Sequence, residues 1–129
     1  MRKADLIYLA GFIDGEGCIF ATSKKAQGSL TRERHYYPAL HIAQKFPKIL
    51  HEIRDIVGHG KVTARSDGVA YTYKISGSKC EALLIELIPY LRCKKEQAKL
   101  ASMLMSLHPA DRAILHRDLQ ELKREGGSW

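Results

Sequence analysis

Cysteine is scarce and does not pair in sequence: Cys18, Cys80 and Cys93 include no C-x-x-C unit. An odd number without that unit disfavours both a disulfide framework and a Cys-rich zinc site. The six histidines form no H-E-x-x-H motif and no finger-like spacing in company with cysteine, so they read as surface or groove residues. Long apolar runs are missing too. The stretches around Leu6–Ile13 and Leu83–Leu91 are too short to span a bilayer and are broken by polar residues. Met1-Arg2-Lys3 is basic, but Asp5 follows and then Asp14 and Glu16, a pattern no signal peptide fits. The expected location is the cytoplasm or a nucleoid-like compartment, with no secretion and no membrane partner. Acid is the scarcer charge: 14 Asp and Glu face 21 Lys and Arg, for a net charge of +7 and a pI near 9.4. That surplus favours a polyanionic partner, nucleic acid before an anionic membrane, although a merely soluble basic domain has the same balance.

What is present is enough for one domain. The chain has 129 residues, 45% of them hydrophobic, so it can bury a core. There is no repeat, linker or low-complexity tract, and residues 1–125 read as one unit with 126–129 as a frayed tail. Residues 5–14 read as a helix with Asp5 as N-cap and Gly15 and Gly17 as breakers. A strand follows from Cys18 to Lys25, then a loop over Ala26–Arg34, then a strand from Tyr36 to Gln44 with Leu40 and Ile42 on one face. Pro47 opens a helix to Val57 with Ile49, Ile53, Ile56 and Val57 as its buried stripe, and Gly58 ends it.

Lys61–Arg65 and Ala70–Ile75 form a hairpin around Ser66-Asp67-Gly68. Val62 and Ala64 alternate with Lys61, Thr63 and Arg65; Tyr71, Tyr73 and Ile75 alternate with Thr72 and Lys74. Ser78 or Gly77 caps a helix carrying Leu83, Leu84, Leu87 and Ile88. Helices over Lys94–Leu107 and from Pro109 to about Arg124 complete the chain, with Leu100, Met103, Leu104 and Leu107 as one core stripe and Ile114, Leu115, Leu119 and Leu122 as another, or alternatively as an extension of a contact between two copies. Two hairpins separated by a helix predict an α+β fold, a four-stranded antiparallel sheet with helices on one face. The other face would be cationic, and β-ribbons fit the major groove of DNA. Gly58-His59-Gly60-Lys61 lacks the full phosphate-loop pattern and reads as a turn.

The segment Leu9-Ala10-Gly11-Phe12-Ile13-Asp14-Gly15-Glu16-Gly17 carries the most chemical information. Gly11 and Gly15 share a helix face and let a second helix approach closely. Asp14 and Glu16 sit at the helix C-terminus, the wrong end of the dipole for an acid, so the placement asks for a cation; a divalent metal is one candidate. From the residues alone, Gln44 is also an ordinary strand-end polar residue, and Arg92–Lys95 a solvated basic helix start.

LAGFIDGEG resembles the signature of the LAGLIDADG homing endonucleases. Ala43-Gln44-Lys45 and Pro89-Tyr90-Leu91-Arg92-Cys93-Lys94-Lys95-Glu96-Gln97-Ala98 agree with further segments of that family, and the element order matches over roughly residues 5–107. The resemblance implies the family's αββαββα fold with a saddle-shaped sheet, here extended by C-terminal helices. It implies metal-dependent, site-specific cleavage of double-stranded DNA at a long pseudo-palindrome. One motif copy implies a homodimer, with Ile7, Gly11, Asp14 and Gly15 at the interface. Glu16 would hold Mg²⁺ with help from the backbone of Gly15; Mn²⁺ would substitute, and Ca²⁺ would support binding without cleavage. Gln44 would order water, and Lys94, with Lys95 as a possible substitute, would stabilise charge at the scissile phosphate. Asp14 would bond backbone at the helix end. The DNA-binding positions would be Phe20, Thr22, Lys24, His35, Tyr37, His41, Lys48, Lys61, Thr63, Arg65, Thr72 and Lys74. The same fold also serves in intron RNA splicing and as a non-cleaving DNA-binding regulator, which form the alternative reading.

Overall fold

The structure, a computed structural model, describes residues 1–25, 34–106 and 109–124. The expected loop over Ala26–Arg34, apart from Arg34, lies outside the described residues, as do Leu107 and the 126–129 tail. The elements run α1 (Lys3–Glu16), β1 (Gly17–Lys25), β2 (Arg34–Gln44), α2 (Lys48–Val57), β3 (Lys61–Ala64), β4 (Tyr71–Ser76), α3 (Gly77–Leu87), α4 (Lys95–Met103) and α5 (Pro109–Leu122). Short 3₁₀ turns over Ile88–Tyr90 and Leu104–Ser106 follow α3 and α4. Among the described residues no helix is long and apolar enough to cross a membrane.

The strands form one antiparallel sheet in the order β1-β2-β4-β3. Its register explains the alternation in the sequence. Ile19 pairs with Leu40, Leu40 with Ile75, and Ile42 with Tyr73, so these side chains share one face. That face is buried against Leu9 and Ile13 of α1, Leu50 and Ile53 of α2, and Leu83, Leu84 and Leu87 of α3. Each such aliphatic side chain contributes roughly 1.5–3 kcal/mol by leaving water.

Several sequence expectations need correction. Asp5 is not the N-cap of α1; the helix starts at Lys3 with Arg2 in the cap position and no side-chain cap bond. Gly15 does not break it, because the helix continues through Glu16 and Gly17 turns the chain into β1. Neither Ser78 nor Gly77 caps α3; the cap is Ser76, in extended conformation. In α2 the fully buried positions are Leu50 and Ile53, while Ile49, Ile56 and Val57 are half-buried. Met103 and Ile114 are exposed rather than core, because they lie off the helix faces that bury Ala98 and Ala101 in α4 and Leu115 and Leu119 in α5. Leu104, Leu115 and Leu119 are buried as expected.

The Gly58–Lys61 segment is a turn. Gly58 ends α2 at φ +82° with its N–H on the Arg54 carbonyl at 2.8 Å. Tyr73 passes beneath it and donates its hydroxyl to the His59 carbonyl at 2.7 Å. Burial pushes the Tyr73 phenol up to about 12, so it remains a donor at neutral pH. Gly60 sits at φ +102°, and a Cβ there would come within 2.5 Å of the Tyr73 ring. Gly60→Ala is therefore expected to destabilise the fold by roughly 2–4 kcal/mol, through left-handed strain and overpacking together. Urea denaturation checks this, and a loss below about 0.5 kcal/mol would contradict it.

Candidate active site and polyanion-binding face

The C-terminal turn of α1 is tied down from the far end of the chain. A helix start leaves backbone N–H groups without partners, and α4 begins with no capping side chain of its own. The Asp14 carboxylate fills that need. It accepts the backbone N–H groups of Arg92 at 2.8 Å, Cys93 at 3.1 Å and Lys94 at 3.0 Å. A carboxylate at a helix N-terminus also meets the favourable end of that helix's dipole. Asp14 is thus a backbone-bonding residue, as expected, with its partners within the same chain.

Lys94 completes the clamp. Its side chain is buried, and its ammonium donates to the Asp14 carbonyl oxygen at 2.6 Å. A cation at the C-terminal end of α1 offsets that helix's dipole. The compensation that the two acids called for is therefore partly internal. Glu16, one turn-end further on, is exposed, and its partner is the side-chain amide of Gln44, which donates Nε2–H to Oε2 at 3.2 Å. Among the described residues no cation pairs with Glu16. Gln44 reaches it because β2 ends at that residue, so its amide leaves the buried row of Leu40 and Ile42. The structure thus gathers Glu16, Gln44 and Lys94 around one helix end, with Lys95 opening α4 beside them.

One flank of α1 has no partner among the described residues. Ile7 is 50% exposed and Tyr8 52%, while Leu9, Ala10 and Ile13 on the other side are buried. A Cβ added at Gly11 or Gly15 would meet nothing within 4 Å. A groove of about 500 Å³ lies here, lined in part by Ile7, Gly11, Tyr90 and Arg92.

The uncovered face of the sheet is cationic. Register puts Phe20 opposite Ala39, Thr22 opposite Tyr37, Cys18 opposite His41, and His41 opposite Lys74. Thr63 pairs with Thr72, and Lys61 stands directly opposite Lys74. Like charges placed so destabilise a sheet, which makes their presence informative. Lys24 pairs with His35, but its side chain lies outside the described ones. Arg65 departs from expectation: β3 stops at Ala64, and Arg65 belongs to the hairpin turn, where its guanidinium meets Asp67 at 2.9 Å. That exposed pair is weak, and Arg65 remains at the rim of the face. Lys48 is the exposed first residue of α2, off the sheet itself.

His41 stands with its ring edge-on to Phe20, the centroids 4.7 Å apart. Burial, then the charges of Lys74 and Lys123, lower its pKa below the ordinary 6.5. Lys123 is the residue that sequence reasoning missed. It follows α5, yet its ammonium lies 2.9 Å from the Cys18 sulfur and 5.6 Å from the Phe20 ring centroid. Nothing in the local pattern of a C-terminal helix signals that reach.

A family model described as LAGLIDADG endonuclease matches residues 9–100. DNA endonuclease I-CvuI of Chlorella vulgaris is 33% identical over 104 residues, covering 79% of this chain and 64% of that protein. This chain therefore spans under two thirds of that relative's length. DNA endonuclease I-CreI of Chlamydomonas reinhardtii is 32% identical over 112 residues, covering 84% of this chain and 67% of that protein. Among solved structures, I-CvuI bound to a DNA target in the presence of Mg superposes with a TM-score of 0.85 at 27% identity, covering 98% of this chain and 87% of that one.

Proposed function

The chain belongs to the LAGLIDADG endonuclease family, and on that premise we propose that it is a site-specific endonuclease. Its substrate is double-stranded DNA, and it acts as a homodimer with Mg²⁺. The observation that carries this reading is Glu16: an exposed carboxylate at a helix C-terminus, paired with no described cation, hydrogen-bonded to Gln44 and set beside the Lys94 clamp. Among the described residues the Gln44 amide is its side-chain partner, and no cation offsets its charge. It is suited to a hard divalent ion, which takes oxygen ligands and keeps waters and substrate phosphate oxygens in its remaining positions.

The donor set fits such an ion. Glu16 would hold it together with the carbonyl of Gly15, one of the last four of α1, which lack intrahelical partners. When bound, the ion supplies Lewis-acid stabilisation of the phosphoryl oxygens and eases deprotonation of the attacking water. Gln44 gives one Nε2–H to Glu16, which leaves its carbonyl oxygen to accept a hydrogen bond from that water and orient it. Lys94 has two N–H donors beyond the one on Asp14, and these are assigned to charge developing on the phosphate. The open flank of α1 supports the dimer. With Ile7 exposed and nothing above Gly11 and Gly15, a second copy can pack helix against helix and bring the two Glu16 residues to one centre. Two carboxylates so close would repel without a cation between them. The floor of Lys61, Lys74 and His41 meets the phosphates and base edges.

The test is selection of cleaved products from a randomised duplex library in Mg²⁺, with a parallel binding selection in Ca²⁺. One long pseudo-palindromic sequence is expected to be cut on both strands in Mg²⁺ and bound intact in Ca²⁺. Light scattering of the free protein should give twice the 14.6 kDa chain mass. No cleavage of any duplex, together with tighter binding to structured RNA, would overturn the reading in favour of a splicing role.

A further inference from the structure

Lys123 occupies a position that the sheet alone does not explain. The helix that precedes it, α5, packs through Leu115 and Leu119 on the buried side of the domain, and its His116 ring lies 5.0 Å from Tyr36. Its C-terminal end stands at the edge strand β1, where a crevice of about 170 Å³ is lined by Phe20, His116, Leu119, Gln120 and Lys123. From there the lysine stem crosses to the outer face, and the ammonium settles on Cys18 and the ring of Phe20. Neither partner is a carboxylate. A thiol is a poor acceptor, and a cation over a phenyl ring gains about 0.5–1 kcal/mol at an exposed site.

The surroundings oppose a positive charge. Lys123 lies close enough to His41 to bias its ionisation, and Lys74 acts on the same ring. Lys61 stands opposite Lys74 in the register. Among the described residues no carboxylate pairs with Lys123. Lys123 thus brings a half-buried ammonium, paired with no described acid, to the same face as Lys61 and Lys74, where an arriving anion would give it the partner it lacks.

We propose that Lys123 is a phosphate-binding residue of the DNA floor, delivered round the edge of the sheet by α5. The inference rests on the endonuclease reading and extends it to a helix outside the αββαββα core. It gives α5 two tasks: Leu115 and Leu119 close the hydrophobic core, and the helix end supplies a cation to the face that the strands build. A lysine acts on phosphate as a point charge, without bidentate geometry, so its contribution is sequence-independent.

The test measures binding of the full chain to a random-sequence duplex by fluorescence anisotropy over a range of salt concentrations. Lys123→Met keeps the apolar stem and removes the charge. It is expected to weaken binding roughly threefold to tenfold at low salt, and to reduce the slope of log K against log salt by about 0.9 for each chain in the complex. Lys123→Arg is expected to restore both affinity and slope. In the wild-type protein, duplex is expected to protect Lys123 from amine acetylation as read by mass spectrometry, which requires no variant to fold. A Met variant with the wild-type slope, or Lys123 acetylated equally with and without duplex, overturns the inference. Failure of the wild-type chain to bind any duplex would instead remove the endonuclease reading beneath it.

Discussion

Replacing Glu16 by Gln is expected to abolish DNA cleavage while leaving duplex binding intact. The two side chains have nearly the same shape, and a Gln carbonyl can still accept the Nε2–H of Gln44, so the 3.2 Å contact has a neutral substitute. What disappears is the negative charge at the end of α1. If that charge holds the divalent ion, its loss removes several kcal/mol of transition-state stabilisation, and the single-turnover rate falls by roughly a thousandfold or more. Binding depends on the cationic floor, which the substitution does not touch, so affinity in Ca²⁺ should stay within about threefold of wild type. A Gln variant that cuts at the wild-type rate would show that Glu16 holds no metal. One that loses both activities would place Glu16 in the assembly rather than in the chemistry.

Replacing Asp14 by Ala is expected to have the largest effect on stability. The substitution leaves three backbone N–H groups at the start of α4 without their acceptor. It also removes a charge from the favourable end of that helix's dipole. Hydrogen bonds to a charged group contribute about 1.5–3 kcal/mol, and solvent reaching the exposed members of the set recovers part of the loss. A net cost of about 3 kcal/mol is expected, lowering the melting temperature by roughly 10 °C for a domain of this size. Asp14→Asn keeps one acceptor oxygen and should fall between the two proteins. Cleavage should drop further than stability accounts for, because Lys94 is positioned by the same clamp. Urea melts of all three proteins, with cleavage measured well below their transitions, check both parts. An Ala variant within about 0.5 kcal/mol of wild type would refute the clamp.

Local patterns in the sequence were informative wherever a single element decides the outcome. Period-two alternation over Lys61–Ala64 and Tyr71–Ile75 matched the paired faces of the sheet, because the pleat alone sets them, whereas Arg65 fell in the turn. Glycines and acids interrupting an apolar run located the end of α1 to within two residues. The motif also brought Glu16, Gln44 and Lys94 into view, from three separate elements. What stayed hidden depends on which surfaces meet. Asp14 caps a helix that begins about eighty residues later, and nothing beside Asp14 in the chain names that partner. Met103 and Ile114 follow a helical apolar spacing yet are exposed, because they lie off the helix faces that bury Ala101 and Leu115. Lys123 looks like one more solvated cation in Leu122-Lys123-Arg124; only the seat of α5 against the edge strand puts it near Phe20.

The Asp14 clamp also orders events during synthesis. Asp14 leaves the ribosome before its partners, and Arg92, Cys93 and Lys94 are made 78 to 80 positions later. At about 5–20 residues per second, that interval is roughly 4–16 s. Until then the end of α1 lacks its anchor and Lys94 does not exist, so a nascent or prematurely terminated chain carries Glu16 without the frame that aims it. On the endonuclease reading proposed above, a chain truncated before Arg92 is expected to cleave no DNA, and the clamp would act as a check on completeness.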